Sequence, residues 1–233
     1  MATVKRFKLS FLIVLFGLSM NLNAQSRLFP SRNSMPNSIL NSYYTKVDSL
    51  LLNEGVFNVF AFEIRPSFSG ETGCYYDAKD SVLVLRTANQ NIWYYGGYYG
   101  RNNGSFKQRK HQEKLVISEY RCPISQVAKQ SLKRLFTAAV FSSSFLAQPL
   151  GADGVTYEIL IRGGAFAACC WSPEKGSNCG QIVELLTRLS DAIKNNDSKR
   201  IESLIPSADE LSRKFEALYP DDVKEGSVFL LWQ

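Results

Sequence analysis

The chain has 233 residues, of which 45% are hydrophobic and 12% aromatic, and its formal net charge is +6 at pH 7. This composition supports a buried core and excludes an intrinsically disordered protein. Without residues 1–24 the charge falls to +3, from 24 basic and 21 acidic residues. No basic stripe of the kind that nucleic-acid-binding domains carry remains.

Residues 1–24 have the three parts of an export signal. Basic side chains within residues 5–8 form a positive region, and residues 11–18 form an apolar run. That run is too short for a membrane span, which needs roughly 20 apolar residues. The small residue Ala24 precedes Gln25, which predicts cleavage between them. We therefore expect a protein that is exported, periplasmic or secreted, with no transmembrane segment in its mature chain.

The mature chain is predicted to be a flexible leader, residues 25–37, followed by one domain, residues 38–233. The leader is rich in Ser, Asn, Pro and Arg. Apolar side chains recur at helical spacing over residues 39–51, which predicts an amphipathic helix. Residues 56–64 are rich in β-branched and aromatic side chains, and Pro66 ends the predicted strand.

The rest of the domain is predicted to alternate hairpins and helices, from turn signals and apolar periodicity. In chain order the predicted elements are a hairpin of 74–76 and 81–86, an aromatic strand at 91–95, a long loop at 96–110, a strand at 115–120, a helix at 124–140, a hairpin of 155–161 and 165–171, a helix over 182–193, a further helix near 211–218 and a buried strand at 228–232.

Four turn or cap signals refine these elements. Pro123 is expected in the first turn of a helix, and Gly163-Gly164 as a two-residue hairpin turn. Ser177 or Asn178 is expected to cap the helix that follows. Residues 207–210, Ser-Ala-Asp-Glu, fit a capping box. Because helices lie between hairpins without a steady β-α-β alternation, the pattern favours an α+β domain, an antiparallel sheet with helices packed mainly on one face. Parallel winding is the weaker alternative.

Cysteine chemistry depends on the predicted export. An oxidising compartment makes every cysteine a disulfide candidate, and an odd number leaves at least one thiol unpaired or paired between chains. Cys169 and Cys170 are adjacent, so on a strand they point to opposite faces. We expect one of them to reach Cys179 or Cys74; the alternative is that all are buried thiols. The candidates are Cys74, Cys122, Cys169, Cys170 and Cys179.

Catalytic signals are few. A Ser–His or Cys–His pair would have to use His111, the single histidine. Residues 172–175, Ser-Pro-Glu-Lys, match an S-x-x-K string, but no S-D-N or K-T-G string follows. No metal-ligand spacing is present, so neither a metal nor a cofactor is predicted. Paired carboxylates remain an open alternative, although spacing joins no two and a solvent-facing position is favoured for each. The acids on or beside strands are Glu63, Glu71, Asp77, Glu119 and Glu158.

Residues 93–104 have the most unusual composition, with five aromatic residues and four glycines. Such a surface stacks on rings and offers adaptable hydrogen bonds, as sugar or peptide binding requires. The alternative is a core strand followed by a hairpin loop. The ligand-binding candidates are Trp93, Tyr95, Tyr98, Tyr99, Arg101 and Asn103.

The C-terminal half contains Asp153-Gly154-x-x-Tyr157, then Trp171-Ser172-Pro173-x-x-Gly176-Ser177, then a helix from about residue 181. This order resembles exported bacterial proteins of unknown function, over about 80 residues. The resemblance implies export and no particular activity.

The sequence therefore favours a non-enzymatic envelope or secreted protein that binds a protein, peptide or glycan, with no role in nucleic-acid binding. Two alternatives stay open. One is an envelope hydrolase using carboxylates or Ser172 with Lys175, and the other is an exported inhibitor or immunity-type protein.

Overall fold

The computed structural model describes residues 26–31, 39–52, 59–95, 114–147 and 153–220. Within these ranges, seven strands form one antiparallel sheet in the order β1-β7-β6-β2-β3-β4-β5. The strands are β1 (Phe29–Pro30), β2 (Phe60–Pro66), β3 (Thr72–Asp77), β4 (Val82–Ala88), β5 (Ile117–Pro123), β6 (Val155–Ile161) and β7 (Phe166–Trp171).

Five α-helices accompany the sheet in the same ranges. They are α1 (Ile39–Leu51), α2 (Ile92–Tyr95), α3 (Gln126–Phe141), α4 (Asn178–Lys194) and α5 (Ser198–Glu216). Helices α3, α4 and α5 cover one side of the sheet, here called the helix face, and α1 lies on the other, the cleft face. The predicted α+β class, with helices mainly on one face, is confirmed. Among the described residues, no helix combines the length and apolar character that spanning a bilayer requires.

The sheet joins two parts that are each continuous along the chain. Strands β2 to β5 form a meander of neighbours, and β6 with β7 forms a hairpin. Antiparallel pairing of β2 with β6 joins the parts, in a register that sets Phe60 opposite Ile161 and Pro66 opposite Val155. Strand β1 extends the hairpin at its outer edge, with Phe29 opposite Cys169.

The main core lies on the helix face. Phe60 and Phe62 on β2 meet the Phe136 ring of α3 edge to face, with centroids 5.2 and 6.2 Å apart. The predicted stripe of α4 is buried there as its helical spacing requires. Ser125 and Ser177 cap α3 and α4, because each hydroxyl accepts a backbone N–H three residues on.

The cleft face is closed by the end of α1. Leu52 packs with Ala61, Tyr75 and Val84 of the central strands. The absence of a side chain at Gly73 permits this approach, since an added Cβ would lie 2.7 Å from the Leu51 Cβ. Helix α1 is therefore held against the backbone of β3.

Two predicted elements are wrong. Residues 26–31, assigned to a flexible leader, lie on the sheet: Leu28 is buried, and the Ser31 N–H donates to the Ala167 carbonyl at 3.0 Å. The predicted strand at 91–95 is instead the helix α2, which begins at Ile92 after Asn91. The Asn91 side chain accepts the Tyr94 N–H, and the Glu71 carboxylate accepts the Ile92 N–H, so local capping overrides aromatic β propensity.

Three turn or cap signals are also corrected. Pro123 ends β5, and α3 begins after it. Residues 162–164 form a 3₁₀ turn instead of a two-residue hairpin turn. Residues 207–210 lie inside α5, whose cap is Asp197, with Pro206 also within the helix. The predicted signal, the loop at 96–110 and the strand at 228–232 lie outside the described residues.

Candidate functional site

An ion cluster lies buried on the cleft face where β2 meets β6. Glu63 and Glu158 are directly opposite in the ladder, and neither side chain is exposed. Arg65 shares their face because strand side chains alternate. Its Nη1 donates to Glu63 Oε2 at 2.7 Å and to Glu158 Oε2 at 2.5 Å, while the Ser31 hydroxyl donates to Glu158 Oε1.

The expectation that the strand acids face solvent is wrong for Glu63, Glu71, Asp77 and Glu158, and Glu119 is exposed as expected. Glu63, Glu71 and Glu158 are fully buried. Two like charges placed opposite each other repel, and Arg65 offsets that repulsion. The carboxylates of Glu63 and Glu158 lie beneath the Arg65 guanidinium and are inaccessible to solvent. Neither can therefore contact a bound substrate. They fix the position of Arg65.

A cleft of about 430 Å³ opens above this cluster. Helices α1 and α2 form one wall, and the adjoining ends of β2 and β6 form the other. The Arg65 guanidinium carbon lies 4.6 Å from the centre of the Tyr44 ring, a cation–π distance. The described lining residues are Tyr43, Tyr44, Arg65, Pro66, Ser67, Asn91, Trp93, Tyr94, Asp153 and Thr156.

The aromatic wall is fixed from behind by Glu71. The Tyr43 and Trp93 rings meet edge to face at 5.1 Å. The Tyr43 hydroxyl donates to Glu71 Oε1 at 2.9 Å, and the other carboxylate oxygen accepts the Ile92 N–H at 2.7 Å. Burial raises the pKa of Glu71, opposed by these hydrogen bonds, and burial beside that carboxylate also raises the pKa of Tyr43. One acid thus orients both helices of the wall.

The opposite rim is polar and is tied to the chain backbone. The Asn91 amide donates to the Pro66 carbonyl at 3.0 Å. The Ser67 hydroxyl lies 3.0 Å from both the N and the O of Gly154. Asp153 is exposed and is the one carboxylate among the described lining residues. The cleft therefore offers rings on one side and hydrogen-bonding groups on the other.

The predicted aromatic segment contributes in part. Trp93 lines the cleft, whereas Tyr95 is exposed and is not among the described lining residues. Tyr98, Tyr99, Arg101 and Asn103 lie outside the described residues. Sequence reasoning missed Tyr43 and Tyr44, which resemble ordinary helix positions. It also missed Arg65. The sequence indication for this residue is that Arg65 and Glu63 lie on one face of a strand whose other face is apolar.

All five cysteines are buried thiols, and the structure contains no S–S bond among them. The neighbouring Cys179 side chain, together with burial, raises the pKa of Cys170. Burial raises the pKa of Cys74, whose side chain lies in the main core. Of the pairings considered from sequence, the structure brings together Cys170 and Cys179.

The S-x-x-K segment lacks the geometry of a serine nucleophile. Ser172 and Lys175 lie in the turn before α4, which begins at Asn178, so they are not one helical turn apart. The Ser172 hydroxyl accepts the Val155 N–H at 3.0 Å. His111 lies outside the described residues. Within the described ranges, no three Cys, His, Asp or Glu side chains group as metal ligands.

Comparison of the chain with protein-family models and with curated proteins finds no match.

Proposed function

We propose that the protein is exported to the periplasm or beyond the cell and binds a glycan in the cleft between α1, α2 and the β2–β6 edge. The basic and apolar parts of residues 1–24 support export. The cleft supports binding, because concave sites lined by aromatic rings and a few placed polar groups are typical ligand sites.

The distribution of charge supports a neutral, polar ligand. Arg65 is outnumbered by Glu63 and Glu158, and Asp153 adds a further negative charge at the rim. An anionic ligand would be repelled by this excess of negative charge. Sugar rings instead present apolar faces to Tyr44, Trp93 and Tyr94, and hydroxyls to the polar rim. The pairing of aromatic wall and polar rim is the observation that carries the proposal.

The buried acids support binding without turnover. Glycoside hydrolysis needs two carboxyl groups on either side of a substrate bond, one of them as a proton donor. Glu63 and Glu158 are instead fully buried and share the Nη1 of Arg65. Binding is therefore favoured over hydrolysis at this site.

Two adjacent tyrosines give a matched test. Tyr94 lines the cleft and is 43% exposed, while Tyr95 is 40% exposed and is not among the described lining residues. The mature protein, residues 25–233, is titrated calorimetrically with neutral oligosaccharides of the bacterial envelope and with short peptides. We expect Tyr94→Ala to weaken oligosaccharide binding by about tenfold or more at unchanged Tm. Tyr95→Ala is expected to bind normally.

Three results would count against the proposal. Equal weakening by both variants would place the ligand outside the cleft, binding of peptides alone would reassign the ligand, and release of cleaved sugar would make the protein a hydrolase. Export is tested separately, by fractionating cells that produce the full chain or a chain lacking residues 2–24. Retention of the full chain in the cytoplasm would contradict it.

A further inference from the structure

Two cysteines lie on the helix face, on either side of the turn between β7 and α4. Cys170 belongs to β7 and Cys179 to the first turn of α4, and the neighbouring Cys179 side chain, together with burial, raises the pKa of Cys170. Both belong to the main core. The Cys179 thiol also donates to the Arg27 carbonyl oxygen at 3.2 Å. Continuing the β1–β7 register by one residue sets Leu28 opposite Cys170, so both cysteines adjoin residues 27–28, and an S–S bond requires such closeness.

The other cysteines are kept apart by the sheet. Cys74 lies on β3 and Cys122 on β5, with β4 between them. Two strand spacings amount to about 9.6 Å, whereas a disulfide needs Cα atoms within roughly 7 Å. Cys169 points to the cleft face, opposite in direction to Cys170, and pairs in register with Glu158. The geometry thus selects one of the pairings that the sequence leaves open.

We propose that Cys170 and Cys179 form an intramolecular disulfide in the exported protein, with Cys74, Cys122 and Cys169 remaining thiols. The oxidising setting rests on the proposed export. The bond would close the turn of residues 171–178 and tie the hairpin of β6 and β7 directly to α4. It would thereby fasten one half of the sheet to the helix layer.

The chemistry needs an external oxidant. The thiolate of one cysteine attacks a disulfide, either of an exported thiol–disulfide oxidoreductase or of oxidised glutathione, and forms a mixed disulfide. The second cysteine attacks that mixed disulfide, which forms the Cys170–Cys179 bond. The two cysteines lose two protons and two electrons, and the oxidant is released as two thiols.

Oxidative refolding tests the pairing. The mature protein is reduced, unfolded, refolded in oxidised and reduced glutathione, then alkylated in denaturant and mapped by mass spectrometry. We expect three alkylated cysteines and one peptide linking Cys170 to Cys179, and five alkylated cysteines after reduction. We expect the oxidised protein to melt about 5–10 °C above the reduced protein.

Two serine variants provide the control. Cys179→Ser is expected to leave four alkylated cysteines and no linked peptide, whereas Cys122→Ser keeps the link and leaves two. Five alkylated cysteines in the refolded wild type, or a bond between other cysteines, would overturn the proposal. Because glutathione replaces the export pathway here, failure of export leaves this result unaffected. The bond forming in glutathione but not in protein recovered from the periplasm would count against the physiological disulfide.

Discussion

Glu63 and Glu158 face each other across the one pair of strands that joins the two parts of the sheet, and both are closed to solvent. The guanidinium of Arg65 stabilises this arrangement, since one nitrogen donates to both acids. The same ion pairs therefore stabilise the centre of the sheet and hold Arg65 in place at the base of the cleft.

Replacing Arg65 should be among the most damaging single changes in the chain. Arg65→Met leaves two buried carboxylates without their cation, and we expect the free energy of unfolding to fall by about 3–5 kcal/mol. Lys214→Met removes the same charge from an exposed pair with Glu210, at 2.8 Å, and should cost no more than about 1 kcal/mol. Urea unfolding measures both, and Arg65→Met with Glu158→Gln should recover part of the loss. Equal losses in the two single variants would contradict a stabilising cluster.

Glu71 should give the stability a distinct pH dependence. Burial raises its pKa in the folded state above the usual 4.5, so the folded protein holds the proton to higher pH than the unfolded chain does. Stability from this group is thus greatest in acid and is lost as pH rises through the raised pKa. Glu71→Gln accepts the Ile92 N–H without titrating. Relative to this variant, the wild type should lose unfolding free energy as the pH rises above 4.5 in urea titrations; parallel profiles would refute the effect.

Gly73→Ala should link packing to binding. The added Cβ would meet Leu51 at 2.7 Å, so α1 must shift, at about 1–3 kcal/mol. Since Tyr43 and Tyr44 belong to α1, ligand affinity should fall as well. Gly176→Ala places a side chain at a φ of +90° with no atom within 4 Å, so it should cost stability alone. Calorimetric titration of both variants separates the two effects, and unchanged affinity in Gly73→Ala would show that α1 does not control the cleft.

The segment 26–31 should behave as part of the core. Leu28 is 1% exposed, and Leu28→Ala is expected to cost about 2–5 kcal/mol. Val127 on α3 is 62% exposed, and Val127→Ala should change stability by less than about 0.5 kcal/mol. Thermal unfolding compares them. A loss at position 28 as small as that at position 127 would restore the view of this segment as a loose leader.

Much of the fold could be predicted because its signals are local. The β3–β4 hairpin follows from a turn between two apolar runs, and α4 from its stripe and the Ser177 cap. The α+β class follows from the order of these elements. Local signals mislead where two of them compete for one helix start. Ser207 and Glu210 fit a capping box, but the helix is capped by Asp197, nine residues before Pro206.

The site could not be predicted because its members come from distant parts of the chain. Ser31 and Glu158 are 127 residues apart, and Tyr43 and Glu71 are 28 apart. Nothing near Glu158 in sequence indicates that β6 pairs with β2 rather than with β5. Composition indicates Trp93 as a binding residue. The ring that it contacts, Tyr43, lies on a helix whose periodicity indicates only which face is buried.

The two-part sheet has a consequence for the order of folding. Strands β2 to β4 and the hairpin β6–β7 each close over short loops, whereas pairing β2 with β6 brings together segments about a hundred residues apart, which is the entropically demanding step. Three charged side chains lie on that junction. A slip of β6 by one residue would turn Glu158 toward the apolar helix face and away from Arg65, so the ion cluster disfavours misregistered assembly.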